Sequence, residues 1–203
     1  MAPTVIQYSN RESLAADRFR GEGVELGVAK GRFSQVILQN CHCRRLGSID
    51  RWADHHDAAE YVEAARMLAS AGLGRCILLR MTFEEALPFY PDDSLDFVYV
   101  DGYAHAGQEG GKTIEQWWKK VKPGGTFAGH DYHPKWVATM NAVDAFVERH
   151  GLVLNLTLSA DEPGAGQYPS WWVEKPATAQ NSNGGDFSAE TICGLLTCRA
   201  CFP

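Results

Sequence analysis

The segment Val24-Glu25-Leu26-Gly27-Val28-Ala29-Lys30-Gly31 constrains the fold more than any other stretch of the chain. Apolar residues alternate up to Leu26, two glycines flank a short turn, and an amphipathic run begins at Phe33. That order predicts a strand, a tight loop and a helix. Glycine lets the backbone approach a ligand closely, and a helix N-terminus offers unpaired N–H groups. A carboxylate at Glu25 argues against a bound phosphate and suits a ligand with a cationic amino-acid part. A second apolar strand ends in Ser48-Ile49-Asp50. Its carboxylate follows the first strand by roughly 20–25 residues, where an α/β nucleoside-binding unit places its acceptor for ribose hydroxyls.

Strand and helix patterns alternate along the chain, which predicts a parallel sheet with right-handed crossovers. Strands are expected near 23–28, 45–50, 75–80, 94–100 and 125–130. A helix at 57–70 places Tyr61, Ala64, Ala65 and Leu68 on one face and stops at Gly72. Another at 111–121 does the same with Ile114, Trp117, Trp118 and Val121. Their helical spacing reads as core rather than as a substrate platform. Pro134 opens a further helix carrying Trp136, Met140, Val143 and Val147, and Gly151 ends it. The pattern then changes. Leu152, Leu154, Leu156 and Leu158 recur with period two, and after a Pro/Gly-rich loop at 161–169 comes Trp171-Trp172-Val173. Two strands without an intervening helix predict an antiparallel pair. A nicotinamide-dependent Rossmann enzyme would need a helix and a parallel strand here.

With 203 residues the chain is long enough for one α/β domain with a sizeable core. The domain is expected over 1–175, with 176–203 as a linker and Cys-containing tail. No apolar run approaches the roughly 18–20 residues of a membrane span, and the first residues lack a signal-peptide pattern. The expectation is a cytoplasmic protein with no membrane partner; a homodimer remains open. The net charge is −6, and Lys119, Lys120 and Lys122 form the main basic cluster. They read as the last turn of a helix, where cations favour the dipole, so a nucleic-acid substrate is not expected. The six cysteines read as free thiols, with Cys76 in the core. Zinc held jointly by Cys41-His42-Cys43 and the Cys198/Cys201 pair is the weaker reading.

Three further segments extend the argument: Leu95-Asp96-Phe97-Val98-Tyr99-Val100-Asp101-Gly102, Val121-Lys122-Pro123-Gly124-Gly125 and Gly129-His130-Asp131-Tyr132. With residues 24–31 and Asp50 they resemble the class I S-adenosylmethionine-dependent methyltransferases, over about Phe19 to Lys175. The likeness is to the group with a V-D-G…H segment after the fourth strand and K-P-G-G…G-H-D-Y around the fifth. The resemblance implies an α/β, Rossmann-like fold: a seven-stranded, mostly parallel sheet with an antiparallel last strand and helices on both faces. It implies S-adenosylmethionine as cofactor and a small-molecule acceptor. Glu25, Gly27, Ala29 and Gly31 would border the methionine part, and Asp50 the ribose. Trp52 would lie against the adenine or cover the rim, Thr82 and Phe83 would meet the adenine edge, and Asp101 would also border the cofactor.

Asp101 and Asp131 end adjacent strands, so two carboxylates meet at one mouth and suit Mg²⁺ or another divalent cation. Related sugar and catechol O-methyltransferases use such a site to hold the acceptor oxygen and lower its pKa. This sequence departs from the metal-dependent sugar enzymes at His130, where they carry a second carboxylate, and histidine favours a softer ion. His105 is the candidate general base, with Asp101, Asp131 and His130 as further catalytic candidates. His133 is a weaker candidate, and His55 and His56 read as exposed. The expected reaction is methylation of a hydroxyl, of sugar or natural-product type, with N-methylation as the close alternative. The tail supports another reading. Gly184-Gly185 precedes Ser188, Thr191, Cys193, Thr197, Cys198 and Cys201, which resembles a double-glycine leader junction ahead of a modified peptide. The domain would then be a leader or recognition module cleaved after Gly185, or would take its own tail as substrate or lid.

Overall fold

The computed structural model describes residues 4–5, 8–53, 56–72, 74–102, 107–158 and 168–177. The described elements are β1 (Thr4–Val5), α1 (Arg11–Arg18), β2 (Arg20–Leu26), α2 (Arg32–Asn40), β3 (His42–Asp50), α3 (Ala58–Gly72), β4 (Cys76–Arg80) and α4 (Phe83–Ala86). There follow β5 (Leu95–Val100), α5 (Gly107–Gly110), α6 (Lys112–Trp118), β6 (Val121–Gly129), α7 (Val137–His150), β7 (Asn155–Leu156) and β8 (Trp171–Glu174). One sheet orders them β1-β7-β8-β6-β5-β2-β3-β4. The pairs β2/β3, β2/β5, β3/β4 and β5/β6 are parallel, and β8 is antiparallel to both β6 and β7. The seven expected strands are all present, with the expected antiparallel insertion. The two-residue β1 adds an eighth at the edge, parallel to β7; two residues carry no readable period.

Alternation along β5 shows why this sheet is covered on both faces. Phe97 and Tyr99 join Leu14, Phe19, Phe33, Ile37 and Leu68 in the layer beneath α1, α2 and α3. Val98 and Val100 face the other way, with Ile114, Trp117, Phe127, Phe146 and Trp171 beneath α6 and α7. Phe19 and Phe97 stack with centroids 4.3 Å apart. Trp117 and Trp118 are core residues, as their spacing predicts. Near-continuous apolar strands are what a doubly covered parallel sheet requires.

Two local expectations change. Val121 opens β6 rather than ending a helix; Pro123 bars its predecessor Lys122 from the α region, and the helix stops at Trp118. Consequently the lysines do not share a helical last turn. Lys119 caps α6, Lys120 pairs with Asp92 at 2.7 Å, and Lys122 lies in β6 and pairs with Asp96 at 2.8 Å. Cys76 is half-buried against the α3 side of the sheet rather than fully enclosed. Among the described residues no helix is long and apolar enough to cross a membrane.

Candidate active site

Backbone hydrogen bonds extend the parallel ladders past the strand ends and so assemble the mouth. Gly27 N–H donates to the Ile49 carbonyl at 2.9 Å, Asp101 N–H to Leu26 at 2.7 Å, and His130 N–H to Val100 at 2.9 Å. The ends of β3, β2, β5 and β6 therefore lie in a row, bringing together Asp50, the glycine loop, Asp101 and the His130–Asp131 pair. From β2 the chain runs outward to β3 and β4, then returns to β5 on the other side of β2. That reversal opens a crevice between β2 and β5, the place where open α/β sheets take ligands.

The loop after β2 is held by side chains beneath it. Gly27 has φ +94°, and a Cβ there would lie 2.3 Å from the Asp101 carbonyl oxygen, so only glycine fits. Ala29 also has positive φ, 47°, and α2 begins at left-handed Gly31. Asp50 Oδ2 accepts from the N–H groups of Val28 and Ala29, each at 2.9 Å, and Oδ1 accepts from Trp52 N–H at 3.2 Å. The Trp52 indole N–H donates to the Ala29 carbonyl at 2.8 Å. Trp52 is 1 % exposed and meets Tyr61 edge-on. Its ring closes the support of the loop and is neither a rim cover nor an open adenine wall, which corrects the expectation. Asp50, expected as a ribose acceptor, is first of all the clamp of the loop; three of a carboxylate's roughly four acceptor positions are occupied. Because Val28 and Ala29 turn their N–H groups toward Asp50, they are not aimed at an anion in the crevice. This is a physical reason against a phosphate cradle.

Glu25 differs from its expected role. It is 1 % exposed, and its carboxyl accepts from the Ser34 hydroxyl, which also lies 2.8 Å from the Ser48 hydroxyl. Burial pushes its pKa up to about 8, with Asp101 and Asp50 adding to the rise and Ser34 and Arg11 opposing it. Burial beneath the loop favours its protonated acid over an anion bordering the methionine part.

The charged centre of the mouth lies one strand further on. His130 Nδ1 is 2.9 Å from Asp131 Oδ1 and 3.4 Å from Asp101 Oδ1. Ligand atoms of Asp101, His130 and Asp131 all lie within 4.8 Å of one another. Asp131 adopts φ 61°, an uncommon backbone state for a non-glycine residue. His130 is 8 % exposed, and its Nε2 is enclosed without a hydrogen-bond partner. Burial disfavours the imidazolium, but Asp101 and Asp131 outweigh it and hold the pKa above the ordinary value. Burial raises the Asp101 pKa, opposed by His130 and Arg11. Arg11 is the residue that sequence reasoning missed. Its Nη1 donates to Asp101 Oδ2 at 2.8 Å, and its guanidinium lies 4.5 Å from the centroid of the Phe33 ring. The available signal was Asn10-x-x-Ser13, a capping box that opens α1 and fixes Arg11 at its first turn.

The remaining candidates divide. Phe83 is buried at the mouth, its ring 2.7 Å from where a Gly102 Cβ would stand. Thr82 caps α4 through a reciprocal bond with Glu85, so its hydroxyl is engaged locally. His133 caps the short helical turn after β6 through Lys135 N–H. His56 bonds Glu60 at 2.6 Å and is half-buried rather than exposed. His105, His55 and the tail with Cys198 and Cys201 lie outside the described residues.

A switch-point crevice with Asp101 and Asp131 at its mouth, and a glycine-pinned loop that turns two amides away from it, suits a cationic ligand better than a phosphate. S-Adenosylmethionine is such a ligand. A family described as a methyltransferase domain matches residues 24–132, more than half of the chain, and the protein belongs to it. No curated protein matches the sequence. Among solved structures, the chain is similar to an rRNA methylase from Streptococcus thermophilus (TM-score 0.62, 14 % identity, 82 % of this chain and 94 % of that one). It is similar also to an S-adenosylmethionine-dependent O-methyltransferase from Thermotoga maritima (0.62, 16 %, 87 % and 69 %). An O-methyltransferase from Bacillus cereus, solved with S-adenosylhomocysteine, gives 0.62 at 12 % identity over 81 % and 78 % of the two chains. At such identities the likeness is one of fold. The protein is thus a member of a methyltransferase family.

Proposed function

We propose that the enzyme transfers the methyl group of S-adenosylmethionine to a hydroxyl group of a small molecule, with a divalent cation held by Asp101, His130 and Asp131. The observation that supports this reading is the convergence of those three side chains beside the β2/β5 crevice. Two carboxylates and an imidazole form a mixed oxygen and nitrogen donor set, which suits Mn²⁺ or a similar ion at least as well as Mg²⁺. When bound, the cofactor supplies an electrophilic methyl on sulfur, and the cation a Lewis acid for the acceptor oxygen. The protein's share is placement. The loop held by Asp50 and Trp52 seats the donor side, and the β5 and β6 ends seat the acceptor in line with it. The acceptor proton must leave as the new C–O bond forms. His105, four residues beyond Asp101 in the sequence, is the proposed base. The domain is proposed to occupy 1–175, with 176–203 as a linker and Cys-containing tail.

Labelled methyl transfer tests this with a panel of hydroxylated small molecules, amines, RNA and the chain itself as acceptors, with and without chelator. The expected result is transfer to a hydroxyl, lost with chelator and restored by Mn²⁺ or Mg²⁺. Manganese binding, read by electron paramagnetic resonance, should weaken at least tenfold in Asp131→Asn. Chelator-insensitive transfer together with unchanged manganese binding refutes the metal role. Incorporation into RNA refutes the small-molecule acceptor, and incorporation into residues 178–203 would favour the tail as substrate.

A further inference from the structure

Resting on S-adenosylmethionine as the cofactor, we propose that Arg11 is the receptor for the carboxylate of its methionine part. The inference rests on charge and position. Asp101 and Asp131 stand at the mouth of the crevice, favourable to the cofactor's ammonium and sulfonium and hostile to its carboxylate. That carboxylate needs a cation. Lys30, on the loop, turns outward toward Glu60 and Glu63 at 3.9 and 3.5 Å. His130 directs Nδ1 into the Asp101–Asp131 pair. Arg11 is 8 % exposed and spans the gap between the two central strands: it stacks on Phe33 at the start of α2 and pairs with Asp101 at the end of β5. It therefore stands between the start of α2 and Asp101, beside the β2/β5 crevice.

The donor inventory agrees. A guanidinium carries five N–H groups in a planar fork. Asp101 takes one at 2.8 Å, and Glu12 a long one from Nε at 3.4 Å. The Tyr99 hydroxyl, 2.8 Å from the Ser170 hydroxyl, takes a third. The fork retains donors for a second carboxylate, and guanidinium binds carboxylates bidentately. With the cofactor in place, Arg11 bridges Asp101 and the ligand carboxylate, so α1 becomes part of the binding site. The capping box of Asn10 and Ser13 is what sets the start of that helix.

Calorimetry with two ligands separates this role from a structural one. S-Adenosylhomocysteine carries the amino-acid part, and 5′-methylthioadenosine lacks it. The wild-type protein should prefer the first. In Arg11→Ala, affinity for S-adenosylhomocysteine should fall about 10- to 100-fold, the scale of a lost charge-assisted hydrogen bond. Affinity for methylthioadenosine should stay within about twofold, since no contact to it is removed. Arg11→Gln, close in size and uncharged, reads the same difference if the alanine variant fails to fold, and Arg11→Lys should recover part of the preference. Equal weakening of both ligands, no weakening of either, or a wild-type protein without the preference overturns the proposal.

Discussion

Asp50→Ala is the most informative single change, because the structure gives this side chain a structural task that can be measured without any ligand. Its carboxylate accepts from two loop amides at 2.9 Å and from Trp52 N–H at 3.2 Å. Hydrogen bonds to a charged group are each worth about 1.5–3 kcal/mol, so the two shorter ones together contribute roughly 3–6 kcal/mol. The third is long and adds little. Asp50 is 7 % exposed, so water entering the emptied space recovers part of the loss. A net destabilisation of about 3–4 kcal/mol lowers Tm by roughly 6–16 °C for a domain of this size. The assay is equilibrium unfolding of the apoprotein in guanidinium chloride, followed by tryptophan fluorescence. Asp50→Asn should fall between, since an amide oxygen can serve one side of the clamp while its NH₂ faces donors on the other. If Asp50→Ala unfolds at the wild-type midpoint and loses only cofactor affinity, the clamp is energetically idle and the argument is refuted.

Glu25 carries a pH signature. Its folded pKa of about 8 lies above the ordinary carboxylate value, so the native state binds more protons than the unfolded chain between roughly pH 4.5 and 8. Stability from this group is therefore greatest at low pH and falls by up to about 1.4 kcal/mol per unit through that window. Glu25→Gln should flatten this part of the stability profile and raise stability at pH 8; a profile identical to wild type would show that Glu25 is not the group responsible. Truncation after Ala177 should change Tm by no more than about 2 °C, since the sequence that follows opens with a polar Asn-, Ser- and Gly-rich run with little apolar side chain to bury. A drop of many degrees in differential scanning calorimetry would place the tail inside the fold.

Much of the architecture was legible because it depends on local pattern. Period-two runs and helical spacings marked the seven main strands and the helices around Ala64, Trp117 and Val143, and the change of period at Leu152–Leu158 announced the antiparallel ending. The mouth was legible for the same reason: residues that end parallel strands are carried to one edge of a sheet, so Asp50, Asp101 and Asp131 had to approach one another. What the pattern did not contain was direction of bonding. Nothing in Glu25-x-Gly27 says that Ser34 closes over the carboxyl, or that Asp50 and Trp52 turn inward to hold the loop. Those facts depend on which side chain is nearer, and on how far burial disfavours a charge. Arg11 is the clearest case. It lies 90 residues from Asp101 in the chain and 2.8 Å from it in space, and only the docking of α1 against α2 makes the pair. The sequence alone determined that this chain folds as a doubly covered parallel sheet with acids at its mouth, because hydrophobic period and turn chemistry act over a few residues. Tertiary structure decided which acids support the loop, which face the crevice and which cation answers them, because burial and long-range pairing exist only once the strands are side by side.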